Sequence, residues 1–358
     1  MIYIHVPFCK SFCIYCDFYS EIAADGMAEA YTREICAEIK RRSKEMDDSL
    51  RTLYFGGGTP SVLPLSCLTR ILLALEEAGH GGPYEEFTME VNPEDIVEKG
   101  LPYVESLKML GVNRISIGVQ SLDDDLLHWM NRRHNAQRAK EAFRLVREAG
   151  IRNISVDLIF GLSNLSDQVW ESTIDQVLEL GPEHVSCYQL TVEGDNELAH
   201  RLEAGEYDEA SEEQCRSQYD LLCSKLGAAG YRHYEISNFA KPGYEAVHNG
   251  GYWARKPYVG LGPSAHSFSG RGRSWNSNEI IGYTHTQESL SVEDEKVETL
   301  MLALRTATGV DAEFLEANCL KADIERLCAQ GALSRVGRRY RIPEDHFFVS
   351  DEIIRELI

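Results

Sequence analysis

The apolar and polar positions of this chain alternate between two periods. Short β-type runs, dense in branched and aromatic residues, occur at Ile2–Val6, Thr52–Phe55, Phe87–Val91, Arg114–Val119, Ser155–Phe160 and His184–Leu190. Between them, apolar residues recur at helical spacing over Met27–Lys44, Ser66–Ala78, Glu94–Leu110, Ala136–Ala149 and Asp167–Leu180. Six such repeats predict a parallel sheet with right-handed crossovers. Six is fewer than the eight that close a full barrel, so the fold class expected is α/β, an incomplete (β/α)6 barrel. Ligands in such sheets gather at the C-terminal strand ends, where loops supply the chemistry.

After about residue 192 the alternation fades. Residues 193–290 are rich in Gly, Tyr and Ser and are expected to cover the barrel or extend its sheet. Helical runs at Asp294–Arg305 and Ala312–Gln330 then precede Gly331-Ala-Leu-Ser-Arg335 and a short Arg339-Tyr-Arg-Ile342 strand, an order that predicts a small helical, winged-helix-like domain. The expected division is therefore 1–192, 193–290 and 291–358. No short-period repeat or low-complexity tract interrupts it.

Composition narrows the function classes. The 358 residues carry 36 basic and 57 acidic side chains, a formal charge of −21, which repels phosphate backbones and argues against nucleic acid as a partner. No apolar run approaches the roughly 20 residues that span a bilayer. Met1-Ile-Tyr-Ile-His-Val leads into cysteines rather than into the basic-then-apolar shape of a secretory signal, so the expected location is the cytoplasm. Ten cysteines in such a chain point to reduced thiols and metal ligation rather than a disulfide framework. Seven are scattered singly and read as small buried hydrophobes.

The other three are Cys9, Cys13 and Cys16, within eight residues after the first strand. Thiolates suit iron–sulfur clusters, and three of them on a four-iron cubane leave one iron open to chelate a small molecule's amino and carboxylate groups. A zinc site with His5 as fourth ligand and a redox thiol pair are the competing readings. The C-x3-C-x2-C spacing resembles the signature of the radical S-adenosylmethionine superfamily. Tyr54-Phe-Gly-Gly-Gly-Thr-Pro60 resembles that superfamily's glycine-rich segment, where bare backbone approaches the methionine end of the cofactor, and it lacks the ending of a P-loop. Glu90, ending the third strand, suits the cofactor's ammonium; Arg132 can fork onto its carboxylate; Asp157 can accept from a ribose. Each is otherwise an ordinary surface charge.

A narrower resemblance is carried by Tyr3-Ile-His-Val-Pro-Phe-Cys9, Cys16-Asp-Phe18, Gly56-Gly-Gly-Thr-Pro60, Gly118-Val-Gln-Ser121 and Asn131-Arg132. These are similar to the group containing oxygen-independent coproporphyrinogen oxidase and the HemW-type heme chaperones. The resemblance implies a three-quarter barrel, a [4Fe–4S] cluster on Cys9, Cys13 and Cys16, and S-adenosylmethionine contacts at Tyr3, Tyr15, Gly57, Gly58, Thr59, Glu90, Gln120, Arg132 and Asp157, with Thr191 contributing backbone. Two departures bear on the subgroup: Phe18 stands where the oxidase has a further cysteine, and only Met1 and Ile2 precede Tyr3. Both place porphyrinogen decarboxylation in doubt. His248-Asn-Gly-Gly-Tyr252-Trp253 matches the HNxxYW motif of the chaperone type.

An imidazole can ligate heme iron while aromatics stack on the porphyrin, so His248, Tyr252 and Trp253 are the candidate heme contacts. A loop histidine bonded to backbone is the plainer reading of His248, and His266 and Cys187 are rival ligands. The expectation is a heme chaperone that takes heme to an acceptor protein, with an electron donor for the cluster, no coproporphyrinogen oxidase activity and at most transient contact with a membrane client. The alternatives are a radical enzyme acting on a tetrapyrrole, a tRNA-modifying enzyme, and a zinc-stabilised scaffold.

Overall fold

The computed structural model describes residues 1–46 and 51–358. Its strands are β1 (Ile2–Val6), β2 (Phe8–Cys9), β3 (Glu21–Ile22), β4 (Thr52–Gly57), β5 (Glu86–Val91), β6 (Arg114–Gln120), β7 (Asn153–Phe160), β8 (His184–Gln189), β9 (Arg232–Glu235), β10 (Asn238–Ala240) and β11 (Val259–Leu261). The main sheet runs β11-β1-β4-β5-β6-β7-β8-β10-β9. Its six central strands are the six of the sequence pattern, all parallel. Most of their positions are buried on both faces, as expected where helices cover a parallel sheet.

The segment after residue 192 extends that sheet at both edges. β11 joins β1 in parallel, while β10 pairs antiparallel with β8 and β9 with β10. The sheet stays open between β9 and β11, which makes it an incomplete barrel rather than a closed one.

Helices α1 (Met27–Arg42), α2 (Leu65–Glu77), α3 (Pro93–Met109), α4 (Asp124–Trp129), α5 (Ala136–Glu148) and α6 (Asp167–Leu180) fill the crossovers. Several start on a side chain that accepts from the first-turn backbone, Asn92 for α3, Asn135 for α5 and Ser166 for α6, so the turns leaving the strands are fixed by short polar residues. They are followed by α7 (Glu197–Glu203), α8 (Glu212–Ala228) and α9 (Val247–Trp253).

β12 (His266–Phe268), β13 (Gly272–Asn276) and β14 (His285–Ser289) form a separate antiparallel sheet. The tail holds α10 (Val292–Leu304), α11 (Ala312–Asn318), α12 (Lys321–Ala329) and α13 (Ser350–Arg355), with β15 (Val310–Asp311), β16 (Ser334–Val336) and β17 (Arg339–Arg341) as a three-stranded sheet. The helical run expected over Ala312–Gln330 breaks at Cys319-Leu320, both extended, so two helices stand where one was predicted. The tail leans on the β9 edge: Ile236 donates to Arg305, Ala307 to Tyr234, and Phe347 sits edge-on to His233 at 4.9 Å. No helix among the described residues is long and apolar enough to cross a membrane.

Candidate functional site

The three clustered cysteines lie at the C-terminal end of the central strands, on the loop leaving β1. β2 runs beside β3, and the Cys9 carbonyl accepts from Ala23 at 2.9 Å. A tight turn follows, with Cys16 donating to the Cys13 carbonyl at 3.3 Å. All three thiols are half-buried and free of disulfides. Burial raises the Cys9 thiol and pushes Cys16 up to about 11, so a metal would bind here by displacing protons. The loop is clamped from two directions. Asn131 donates to the Phe12 carbonyl at 2.7 Å, and Leu198 of α7 donates to Ile14 at 2.8 Å. Ile14, Leu198 and Tyr207 form a small apolar cluster of their own beside the main core.

The glycine run that ends β4 lies against this loop, and each glycine is required by a different neighbour. A Cβ on Gly56 would fall 2.8 Å from the Tyr54 ring and 3.0 Å from a Glu90 oxygen; one on Gly58 would fall 2.9 Å from the Phe8 carbonyl and 3.1 Å from the Cys9 sulfur. Gly57 has φ +107°, and its Cβ would enter the His5 ring at 2.6 to 2.9 Å. Bare backbone is thus the condition for the loop to pack here at all. Thr59 follows, its hydroxyl 3.5 Å from the Cys9 sulfur. His5 bonds Tyr3 through Nδ1 at 3.1 Å and the Tyr19 carbonyl through Nε2 at 2.9 Å, which leaves it no lone pair for a metal in this arrangement.

Glu90 ends β5 pointing back at the glycines. It accepts from the Tyr54 hydroxyl at 2.7 Å and from the Gly57 amide at 3.2 Å. Burial, reinforced by nearby Asp157, pushes its carboxyl up to about 7 despite those two bonds. Asp157 on β7 accepts from Ser116 at 2.9 Å and Ser155 at 3.2 Å, and burial raises it too. Arg132 donates to the Cys13 sulfur at 3.3 Å and to the Gly118 carbonyl at 2.5 Å, while its Nε is buried without a partner. Burial opposes its charge, and Tyr15 and Cys13 more than offset that.

Gln120 and Asn131, which bracket this corner, are two of the four non-glycine residues with positive φ among the described residues. The β6–β7 register slips between Gly118 and Gln120, so strand and backbone strain coincide with the arginine's anchor. Gly57, Gly58, Thr59, Glu90, Gln120, Arg132 and Asp157 lie in the C-terminal halves of their strands or just beyond them, and Tyr15 is on the cysteine loop; Tyr3, second in β1 and level with Tyr54, lies deeper, below His5. Thr191 lies two residues beyond β8 and is exposed.

The His248–Trp253 segment lies deeper, the His248 ring 5.1 Å from that of Tyr54, whose hydroxyl meets Glu90. It forms α9, which sits under the opposite, N-terminal end of the strands. Glu86, the first residue of β5, caps the helix by accepting from the Val247 amide at 2.7 Å and the His248 amide at 3.0 Å. The His248 ring is fully buried: Nδ1 is 2.8 Å from the Thr52 hydroxyl and Nε2 2.8 Å from the Tyr252 hydroxyl. Burial holds its pKa down at about 3. Both nitrogens are engaged, so this conformation offers none to an iron. Tyr252 is tied to the histidine and Trp253 is half-buried. Of the rivals, Cys187 is buried in the core, whereas His266 is exposed and stacked near Trp275 at 6.1 Å. From Thr52 to Gly57 the strand rises roughly 16 Å, and this separates His248 from the cysteines.

The donor set fits a cubane with one open corner. Cys9, Cys13 and Cys16 put three free, half-buried thiols on one loop. A cubane takes one thiolate per iron. Arg132 Nε is buried without a partner and Glu90 is a buried carboxyl, a guanidinium and an acid that suit the two ends of an amino acid. Sequence reading passed over Lys10, Ser61, Asp95 and Arg133, which are bonded to one another beside the loop. Asn92-Pro-Glu-Asp95 reads as a helix start, and nothing in it signals a partner elsewhere in the chain.

A family model described as the radical SAM superfamily matches residues 3–177. Curated relatives cover most of the chain. A heme chaperone HemW of Bacillus subtilis is 34% identical, spanning 86% of this chain and 84% of its own. One from Lactococcus lactis is 34% identical over 91% and 86%, and one from Mycobacterium tuberculosis 30% identical over 100% and 94%. Among solved structures, coproporphyrinogen III oxidase (HemN) from Escherichia coli superposes with a TM-score of 0.83 over 99% of this chain and 89% of that one, at 21% identity, a likeness of fold alone.

Proposed function

The chain belongs to the HemW family of the radical S-adenosylmethionine superfamily, and from that premise we propose that it binds heme and passes it to an acceptor protein. Cys9, Cys13 and Cys16 would hold a [4Fe–4S] cluster, with S-adenosylmethionine on its open iron. The observation that carries the cofactor reading is the glycine run packed under the cysteine loop, where no Cβ fits. The chemistry such a cluster would supply, when bound and reduced, is an electron for the sulfonium. Glu90 would take the ammonium, Arg132 the carboxylate and Asp157 the ribose, with Tyr3, Tyr15, Gly57, Gly58, Thr59 and Gln120 as further contacts. Thr191 contributes through its backbone.

His248, Tyr252 and Trp253 remain the proposed heme segment, with one condition. An iron at His248 Nε2 must displace the Tyr252 hydroxyl and draw the ring out from under β4. His266 meets iron without any such change. Phe18 is exposed beside Cys16 and supplies no fourth thiolate. The proposed setting is the cytoplasm, with an electron donor and no nucleic acid. The proposed units stay 1–192, 193–290 and 291–358.

The test is hemin titration of the anaerobically reconstituted chain, comparing wild type, His248→Ala and His266→Ala. A saturable Soret change in the wild type is expected; its absence overturns the heme reading. Coproporphyrinogen with reductant and S-adenosylmethionine should yield no decarboxylated product.

A further inference from the structure

Asp95 is the third residue of α3 and fully buried. Three segments from different parts of the chain converge on its carboxylate. Lys10, between Cys9 and Cys13, reaches Oδ1 at 3.0 Å. Arg133, next to Arg132, donates to the same oxygen at 2.9 Å. Ser61, two residues past Thr59, donates to Oδ2 at 3.0 Å. The Ser61 hydroxyl in turn accepts from the Asn92 amide that opens α3, at 3.2 Å. Burial by itself would raise this carboxyl, and Lys10 and Arg133 more than offset it, holding the pKa low. Glu98 meets the same two cations but stands at the surface with 45% of its side chain exposed, where solvent weakens it. A buried carboxylate between two cations is tolerated only with its hydrogen bonds satisfied, and losing one partner is costly.

Each of the three segments carries part of the candidate site: the cysteine loop, the arginine on the Cys13 sulfur, and the turn after the glycines. We infer that Asp95 is the positioning residue that sets these segments against one another, acting through Lys10, Arg133 and Ser61 without touching cluster or S-adenosylmethionine. The position of Arg132 relative to Cys13 then depends on a carboxylate outside the pocket. This rests on the reading of the cysteine loop as the cluster site.

The test is Asp95→Asn, which keeps the shape and one acceptor and removes the charge, in the full chain reconstituted anaerobically with iron and sulfide. Iron and sulfide content, the S-adenosylmethionine Kd by calorimetry, and the paramagnetic resonance spectrum of the reduced cluster with and without S-adenosylmethionine are read together. At wild-type iron content, the Kd should rise about tenfold, in line with losses on cutting outer partners of metal ligands, and the spectral shift on S-adenosylmethionine addition should shrink. Lys10→Gln added to Asp95→Asn should weaken binding little further. Should Asp95→Asn fail to fold, Ser61→Ala and Arg133→Gln each cut one arm and should show the same smaller shift. A Kd within twofold of wild type and an unchanged spectrum, in Asp95→Asn or in both single-arm variants, overturn the inference. Wild type that takes up no iron and sulfide, or binds no S-adenosylmethionine, sinks the cluster reading instead.

Discussion

Tyr54 donates its hydroxyl to Glu90 across 2.7 Å. The carboxyl it meets is buried near Asp157 and is held at about 7, above its ordinary 4.5. Folded Glu90 therefore binds a proton more readily than unfolded Glu90, and its contribution to stability falls as pH rises from about 4.5 through 7. Pairing with an ammonium needs the carboxylate.

S-adenosylmethionine affinity should accordingly increase as pH rises through about 7, with proton release on binding. Calorimetry in buffers of different ionisation enthalpy measures that proton count. Glu90→Gln should bind more weakly and lose the pH dependence; a parallel pH profile in the variant would remove Glu90 from the ammonium's site.

Gly57→Ala should be more damaging than a surface Gly→Ala change. The new methyl meets the His5 ring and the residue must hold φ +107°. A destabilisation of about 2 kcal/mol or more is expected from strain and clash, read by denaturant melts of the apoprotein. Gly58→Ala should instead lower iron uptake, since its methyl pushes on the Cys9 sulfur and the Phe8 carbonyl.

Arg132→Lys keeps a charge but cannot donate to both the Cys13 sulfur and the Gly118 carbonyl. Iron content should stay near wild type while the S-adenosylmethionine Kd rises about tenfold, the loss of roughly one charge-assisted hydrogen bond. Equal Kd values would show that the fork is not used.

His248→Ala removes a fully buried ring and strands the Thr52 and Tyr252 hydroxyls. A loss of about 2 to 4 kcal/mol is expected on cavity and unpaired-hydroxyl grounds. Because this histidine stays neutral when folded, with a pKa near 3 against the ordinary 6.5, its contribution is lost as pH falls below 6.5. Wild type should thus lose stability faster than His248→Phe between pH 6.5 and 5. Any heme binding lost in His248→Ala has to be judged against this destabilisation, which is why His266→Ala belongs beside it.

The barrel strands were legible because their pattern reports burial, and burial is what the fold satisfies. The strand beginning at Ile2 and the helix over Asp167–Leu180 have the predicted bounds, and the others differ by two residues or fewer. The cysteine spacing and the glycine run were also visible, since each is contiguous. The Asp95 hub was not, because its partners come from three other places in the sequence and each looks locally ordinary. His248 shows the converse: the motif names the residue, while only the packing of α9 on Glu86 and Thr52 reveals which end of the strands it occupies. The β9–β11 extensions were expected only in general terms, being three or four residues long without clear alternation.

The apolar cluster of Ile14, Leu198 and Tyr207 has a kinetic consequence. Part of the cysteine loop is buttressed by a patch separate from the main core, and local opening of residues 13–16 ahead of the barrel is the expected outcome. Amides of residues 13–16 should exchange with deuterium through that local opening, ahead of those in β4 to β7, and metal loading should slow them. Uptake of iron and sulfide by the folded apoprotein, with no unfolding of β4 to β7, is the matching expectation.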